Sequence, residues 1–274
     1  MESYKGVVVF LIVGELINST RRKVGRAIRD RDDSLIRRLA RCQMEAGAQV
    51  IDLNAGESME KEVEDLLWLI AVVEEELGPN VRLAIDTSDP KAMVSGLKAC
   101  SGRPVLNSVS NEKTKESLLE LAVQCDADII GLAMGERGMP KTVKDRISEI
   151  RTLLRKCEQV GIDHDRLYMD LICMSVGSSP EQGRAVLDVV RRTKEELGVK
   201  TFMAVSNVSF GLPNRRLLNR TYLAMLIEAG LDGVILDPTD TGVMETICAA
   251  RALTGKDNYC MGYIRYCRNR RGDG

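Results

Sequence analysis

Histidine is nearly absent from this 274-residue chain, which has one, His164, and aromatic residues make up only 4%. That histidine lies in a Gly-Ile-Asp-His-Asp connection rather than at the end of an apolar run, which is poor equipment for a Ser-His-Asp relay, and no dense group of acidic residues stands in for a metal site. The eight cysteines are scattered with no C-x-x-C pair, and none lies near His164. That spacing speaks against bound zinc and a disulfide scaffold, and the expectation is reduced, buried thiols. Cys173, just past a strand end, is the one cysteine to follow, although no electropositive neighbour marks it as reactive. Glycine-rich phosphate loops are missing too: neither G-x-G-x-x-G nor a P-loop occurs.

Charge of one sign is also lacking, because 39 basic and 40 acidic residues leave a formal charge of -1. Nothing global favours nucleic acid or an anionic membrane as a partner. The longest N-terminal apolar stretch, Val7 to Val13, stops at Gly14-Glu15, too short for a bilayer span or a secretory signal. The expected location is therefore the cytoplasm.

What the chain has is repetition. The apolar runs VVVFLIVGELIN, QVIDLN, RLAIDTS, VLNSVS, DIIGLAM, LYMDLICM, FMAVSNVS and VILDPTD alternate with segments of helical periodicity. Those segments are Arg21 to Glu45, Lys61 to Leu77, Pro90 to Cys100, Lys113 to Gln124, Lys141 to Val160, Pro180 to Leu197, Arg215 to Ala229 and Thr241 to Thr254. Gly47, Gly78, Gly161, Gly198 and Gly230 suit left-handed helix ends, while Ser88-Asp89-Pro90 and Ser178-Ser179-Pro180 suit helix starts. Strands buried on both faces should read as continuous Val/Ile/Leu runs, so the pattern fits one α/β domain, a single (β/α)8 TIM barrel spanning residues 1–274. An open doubly wound sheet would carry a Gly-rich loop after its first strand, where this chain reads GELINST. The basic, Tyr-rich tail from Lys256 reads as a packed strap with a frayed end.

Most of the apolar runs end on an uncharged hydrogen-bonder or a carboxylate: Asn18, Asn54, Asp86, Asn107, Asp170, Asn207 and Asp237. In a parallel barrel the strand ends share one mouth, so Asn54, Asp86, Asn107, Asp170 and Asn207 should face a common cavity. Carboxylates accept paired hydrogen bonds from an N–H beside an exocyclic amine, and amides both donate and accept, which suits a neutral pterin-like or guanine-like ring. Taken singly, Asp86 could belong to the Thr87-Ser88-Asp89 corner and Asn54 to an ordinary turn before Gly56. Asn214 and Arg215 either hold the loop after the seventh strand, meet an anionic substrate tail, or start a helix.

GELIN, IDLNAG, AIDTS, LNSVS, the YMD corner and SNVSFGLPNRRLLNRTYL, in order from about Val13 to Tyr259, resemble the pterin-binding methyltransferases. These enzymes move a methyl group between tetrahydrofolate and a corrinoid protein. The resemblance implies a pterin held by Asp86, Asn107 and Asp170, with Asn54, Ser206 and Arg215 as further substrate contacts. It makes Asn207 the catalytic residue beside N5, the atom that carries the methyl group. It further implies cobalamin carried by a partner corrinoid-binding protein, no metal on this chain, and a homodimer. In GELIN the chain is more similar to methylcorrinoid protein:tetrahydrofolate methyltransferases of methylated-amine catabolism than to acetogenic enzymes, which tend toward GERIN. Ala204 and Val205 precede Ser206, where the family commonly has Gly two residues before the Ser-Asn pair.

Three other readings stand beside this one: the acetogenic direction of transfer, a non-catalytic folate-binding subunit, and dihydropteroate synthase. The last should show Lys-Gly at the seventh strand end and Arg-x-His near the eighth, where this chain has Ser206-Asn207 and Asp237-Pro238.

Overall fold

The computed structural model describes residues 10–57 and 60–271. Eight parallel strands, β1 (Leu11–Asn18), β2 (Val50–Asn54), β3 (Leu83–Asp86), β4 (Val105–Val109), β5 (Asp128–Leu132), β6 (Leu167–Asp170), β7 (Lys200–Ala204) and β8 (Gly233–Leu236), pair in chain order. The last pairs with the first, closing the expected barrel. Around it run α1 (Arg22–Asp30), α2 (Asp33–Glu45), α3 (Glu62–Leu77), α4 (Pro90–Ala99), α5 (Ser117–Gln124), α6 (Val143–Gln159), α7 (Gln182–Leu197), α8 (Arg215–Ala229), α9 (Thr241–Leu253) and α10 (Met261–Arg271). Val7 to Val9, the start of the first expected strand, lie outside the described residues.

Alternation along each strand sorts its side chains between two cores. Ile51, Leu53, Leu83, Ile85, Leu106, Ile129, Met169 and Met203 face the helices in the larger one. Leu11, Val13, Val50, Ala84, Val105, Ile130 and Phe202 fill the lower barrel, with Tyr168 and Ile235 against them. Below that layer Asp128 closes the N-terminal end, paired with Arg82, with Arg103 at 3.3 Å and with Arg166 at 3.6 Å. Further up the same inward rows the residue type changes to Asp52, Asn54, Asp86, Asn107 and Asp170. One end of the cylinder is thus sealed by apolar packing and ion pairs, and the other is polar.

Three local expectations need correction. The segment Arg21 to Glu45 is two helices, because Arg31 turns left-handed (φ 53°) and the Asp32 side chain caps the second one. Ser178-Ser179-Pro180 does not start α7, whose N-cap is Glu181; Ser178 and Ser179 instead donate backbone N–H groups to Ser175 O. The tail packs as expected, as a short 3-10 turn followed by α10 against α9. Gly78 is the third exception, ending α3 at φ 91° and ψ 162°, outside the left-handed region, whereas Asp89 caps α4 ahead of Pro90, and Gly198 and Gly230 end α7 and α8 in the left-handed region.

Gly14 illustrates how tightly β1 is clasped. A Cβ there would stand 2.4 Å from Gln43 Oε1 and 2.9 Å from its Cδ. Gln43 is fully buried, and its Oε1 accepts the Leu16 N–H at 2.9 Å, so it has no room to give way. Gly14→Ala should therefore cost about 1–3 kcal/mol, read as a lower denaturant midpoint at unchanged m-value.

Candidate functional site

The polar mouth is built by register. Asp86 on β3 lies beside Asn107 on β4, and Asn18 on β1 beside Asn54 on β2, so residues far apart in sequence become neighbours. Asn54 donates from Nδ2 to Asp86 Oδ2 at 3.1 Å and to the Asp86 carbonyl at 3.2 Å. Its Oδ1 accepts from the Ser19 hydroxyl (3.0 Å) and the Gly56 N–H (3.2 Å). Asn54 is therefore both a turn residue and the prop under the Asp86 carboxylate. The corner after Asp86 is organised by others: Thr87 donates its hydroxyl to the buried Glu62, and Asp89 caps α4.

Asp52 was not singled out by sequence, since it sits mid-strand in an apolar run. It is 1% exposed, and its Oδ1 accepts Asn107 Nδ2 at 2.9 Å. Burial, then the nearby Asp86 charge, pushes its carboxyl well above the usual range, against the Asn107 bond that favours its charged form. Burial raises Asp86 too, against the Asn54 bond that favours its charged form. Glu15, on β1, is likewise raised by burial, offset by its ion pair with Arg21 at 3.1 Å.

Asp170 stands across the mouth at the end of β6. Burial pushes its carboxyl up to about 6, while the Ile172 N–H, donated to Oδ1 at 2.8 Å, pulls the other way. Among the described residues one oxygen on each of Asp86, Asn107 and Asp170 takes no partner. Three strands thus present three free acceptors to one opening.

Asn207 sits above them on a 3-10 turn, Val205–Ser209, that follows β7. Val205, Val208 and Ser209 are buried and anchor the turn, while Ser206 is half-buried and Asn207 exposed. Arg215 grips it, donating to the Ser206 carbonyl (2.8 Å) and the Ser209 hydroxyl (3.1 Å). Of the readings open for Arg215, holding this loop is the one its contacts display. Ser209 in turn donates to Asn219 Oδ1 at 2.6 Å. The Asn207 amide makes no hydrogen bond among the described residues, a free side chain on a fixed platform. Val205 turns into the core, so at this corner only the Ala204 methyl adds bulk on the barrel's inward face.

Asn18 and Asp237 are corner residues: their Oδ1 atoms accept from Thr20 and Thr239, respectively. Cys173 is buried, with its thiol pushed up to about 11 by burial, so it packs rather than reacts. His164 lies at the opposite end of the barrel, before β6, against Glu158 at 3.1 Å. Among the described residues no helix is long and apolar enough to cross a membrane, and no three His, Cys, Asp or Glu side chains gather as a metal site would require.

The family described as pterin binding enzyme matches residues 14–237, from the first strand to the corner after β8. The chain belongs to that family. Among the relatives of this pterin-binding enzyme, the methylcorrinoid:tetrahydrofolate methyltransferase of Eubacterium limosum is 29% identical over 265 residues, covering 94% of this chain and 96% of that protein. Methionine synthase of Mycobacterium leprae (strain TN) is 28% identical over 244 residues, 82% of this chain but only 20% of that protein. Among solved structures, 7,8-dihydropteroate synthase from Vibrio fischeri ES114 superposes with a TM-score of 0.70 at 17% identity, covering 92% of this chain and 96% of that one. A dihydropteroate synthase from Yersinia pestis with a pterine-sulfa conjugate gives 0.67 at 14% identity, covering 91% and 96%. At such identities these two structures speak for the barrel alone.

Proposed function

We propose that this pterin-binding enzyme transfers a methyl group between a corrinoid protein and N5 of tetrahydrofolate, running from the methylcorrinoid protein to tetrahydrofolate. The observation that carries the reading is the set of free acceptors on Asp86, Asn107 and Asp170 beneath an unpaired Asn207 amide. Near-full-length similarity to a methylcorrinoid:tetrahydrofolate methyltransferase supports it.

A reduced pterin carries N–H groups and an exocyclic amine along its pyrimidine edge, and these are the donors that three open acceptors would take. Asp52, buried beneath Asn107, accepts its Nδ2 and fixes that amide so that its carbonyl stays available. Ser206 and the rim cation Arg215, which braces this turn, would take the rest of the folate as it leaves the mouth. Asn207 would then meet N5 through its amide oxygen, accepting from the N5–H so that the lone pair stays free to attack the methyl group and the positive charge growing on the nitrogen is stabilised; the N5 proton then leaves to water.

The corrinoid is a co-substrate that would arrive on its own protein, supplying a cobalt centre able to give up or accept the methyl group. This chain has no D-x-H-x-x-G loop to hold it, and its single histidine is at the wrong end of the barrel. Transition-state stabilisation acts in both directions, so the acetogenic sense uses the same residues. Dihydropteroate synthase chemistry is disfavoured by the β7 corner, where Ser206-Asn207 stand in place of the Lys-Gly pair expected of that enzyme.

The test is turnover by the purified chain with tetrahydrofolate and free methylcobalamin, followed by the cobalt spectrum and by chromatography of 5-methyltetrahydrofolate. Stoichiometric loss of methylcobalamin with gain of methylated folate supports the reading. Tight tetrahydrofolate binding without transfer to or from any corrinoid protein would leave the non-catalytic folate-binding subunit instead.

A further inference from the structure

Arg146, in the first turn of α6, is fully buried and has no carboxylate against it. Burial holds its pKa below the ordinary arginine value, and its Nη1 has no partner among the described residues. A sealed, unneutralised guanidinium is costly, so what it grips matters. It donates from Nε to the Leu171 carbonyl at 3.0 Å, and from Nη2 to the Ile172 carbonyl at 3.2 Å and Gln182 Oε1 at 2.6 Å. Gln182, also buried, opens α7, so the guanidinium ties the starts of two helices to the corner after β6.

That corner contains a strained residue. Ile172 has φ 53°, in the left-handed region that a β-branched side chain rarely enters. Its N–H is the one donated to Asp170 Oδ1. The two carbonyls held by Arg146 flank this N–H: that of Leu171 shares its peptide group, and that of Ile172 begins the next one.

We propose that Arg146 is a positioning residue for Asp170: by holding peptides 171 and 172 it keeps Ile172 left-handed, ties one carboxylate oxygen to the Ile172 N–H, and leaves the other for ligand. The consequence for folate rests on the function proposed above; the consequence for the Asp170 carboxyl does not. Among the described residues, Arg146, Cys173 and Tyr222 are titratable groups packed round this corner, with the Asp145 carboxylate also acting on Arg146, and burial holds both the thiol and the phenol in their neutral forms.

The decisive variant is Arg146→Lys, which keeps the charge but loses the fork that spans both carbonyls. Carbon-13 titration of the Asp170 carboxyl, assigned with Asp170→Asn, should show its midpoint displaced upward, since the Ile172 N–H that favours the charged form is loosened. Calorimetry should show tetrahydrofolate binding weakened about tenfold, with turnover at saturating folate within about twofold of wild type. In an Asp170→Asn background the same substitution should cost little more. Should Arg146→Lys not fold, Gln182→Met, which frees one arm of the guanidinium, should move the same readouts the same way. A folded variant with the wild-type Asp170 midpoint and folate affinity would overturn the proposal, as would an equal loss in the Asp170→Asn background. If wild type binds no tetrahydrofolate the functional reading falls, and the carboxyl titration alone decides the role of Arg146.

Discussion

Asn207→Ala should slow single-turnover methyl transfer about 10²- to 10³-fold while changing tetrahydrofolate affinity only a few-fold. The expectation comes from how the residue is mounted. Val205, Val208 and Ser209 are buried, and Arg215 and Asn219 brace the turn, so removing an exposed amide should leave the platform in place. What goes is an acceptor that matters as positive charge grows on the reacting nitrogen. A hydrogen bond made equally well to bound substrate and transition state would appear in affinity, and one strengthened during transfer appears in rate. Rapid-quench measurement of methylated folate, beside calorimetric binding to the same variant, separates the two. If affinity collapsed while the single-turnover rate held, Asn207 would be a binding residue and the assignment would be wrong.

Asp170→Asn should have its large effect on binding: about 1–3 kcal/mol, or roughly 10- to 100-fold weaker tetrahydrofolate affinity, because a carboxylate acceptor becomes a partly mismatched amide. The pH dependence carries the same signature. The Asp170 carboxyl is raised to about 6, so in the free protein the charged acceptor is lost as pH falls through that value. Binding should then weaken by up to about tenfold per pH unit below 6, and the variant should lack that limb. Protein stability moves oppositely through this group. The folded state keeps the proton to a higher pH than the unfolded chain does, so stability contributed by Asp170 is fully present below the unfolded pKa and is lost as pH rises through about 6. Calorimetric titrations between about pH 5 and 7.5 check the first, and denaturant midpoints between about pH 4 and 7 check the second.

The barrel was legible because its strands are apolar on both faces, and the mouth because strand ends are where polar residues interrupt such runs. Asp86, Asn107 and Asp170 came from that rule, and the structure gathers them round one opening. Asp52 escaped it because its place is one turn of the pleat lower, inside the run VIDLN, and its only signature is an amide 55 positions away. Arg146 escaped for the opposite reason. On a helix rich in Lys, Arg and Glu it reads as one more surface charge, and only the packing of α6 over the β6 corner makes it interior. The break between α1 and α2 had a local signal, the Asp32-Asp33-Ser34 cap, overridden by apolar spacing that carried straight through it. The helical tail had no such signal: its apolar residues are mostly exposed and mark no face.

Asp128 and its three arginines, far from the chemistry, constrain the sequence of events. With the floor of the cylinder stoppered, whatever reaches Asp86, Asn107 and Asp170 must come and go through a single doorway. On the proposed reading, a bulky cofactor-bearing visitor seated across that doorway would shut in the smaller molecule beneath it. Folate should therefore board first and disembark last, and steady-state inhibition patterns should be those of ordered rather than random arrival.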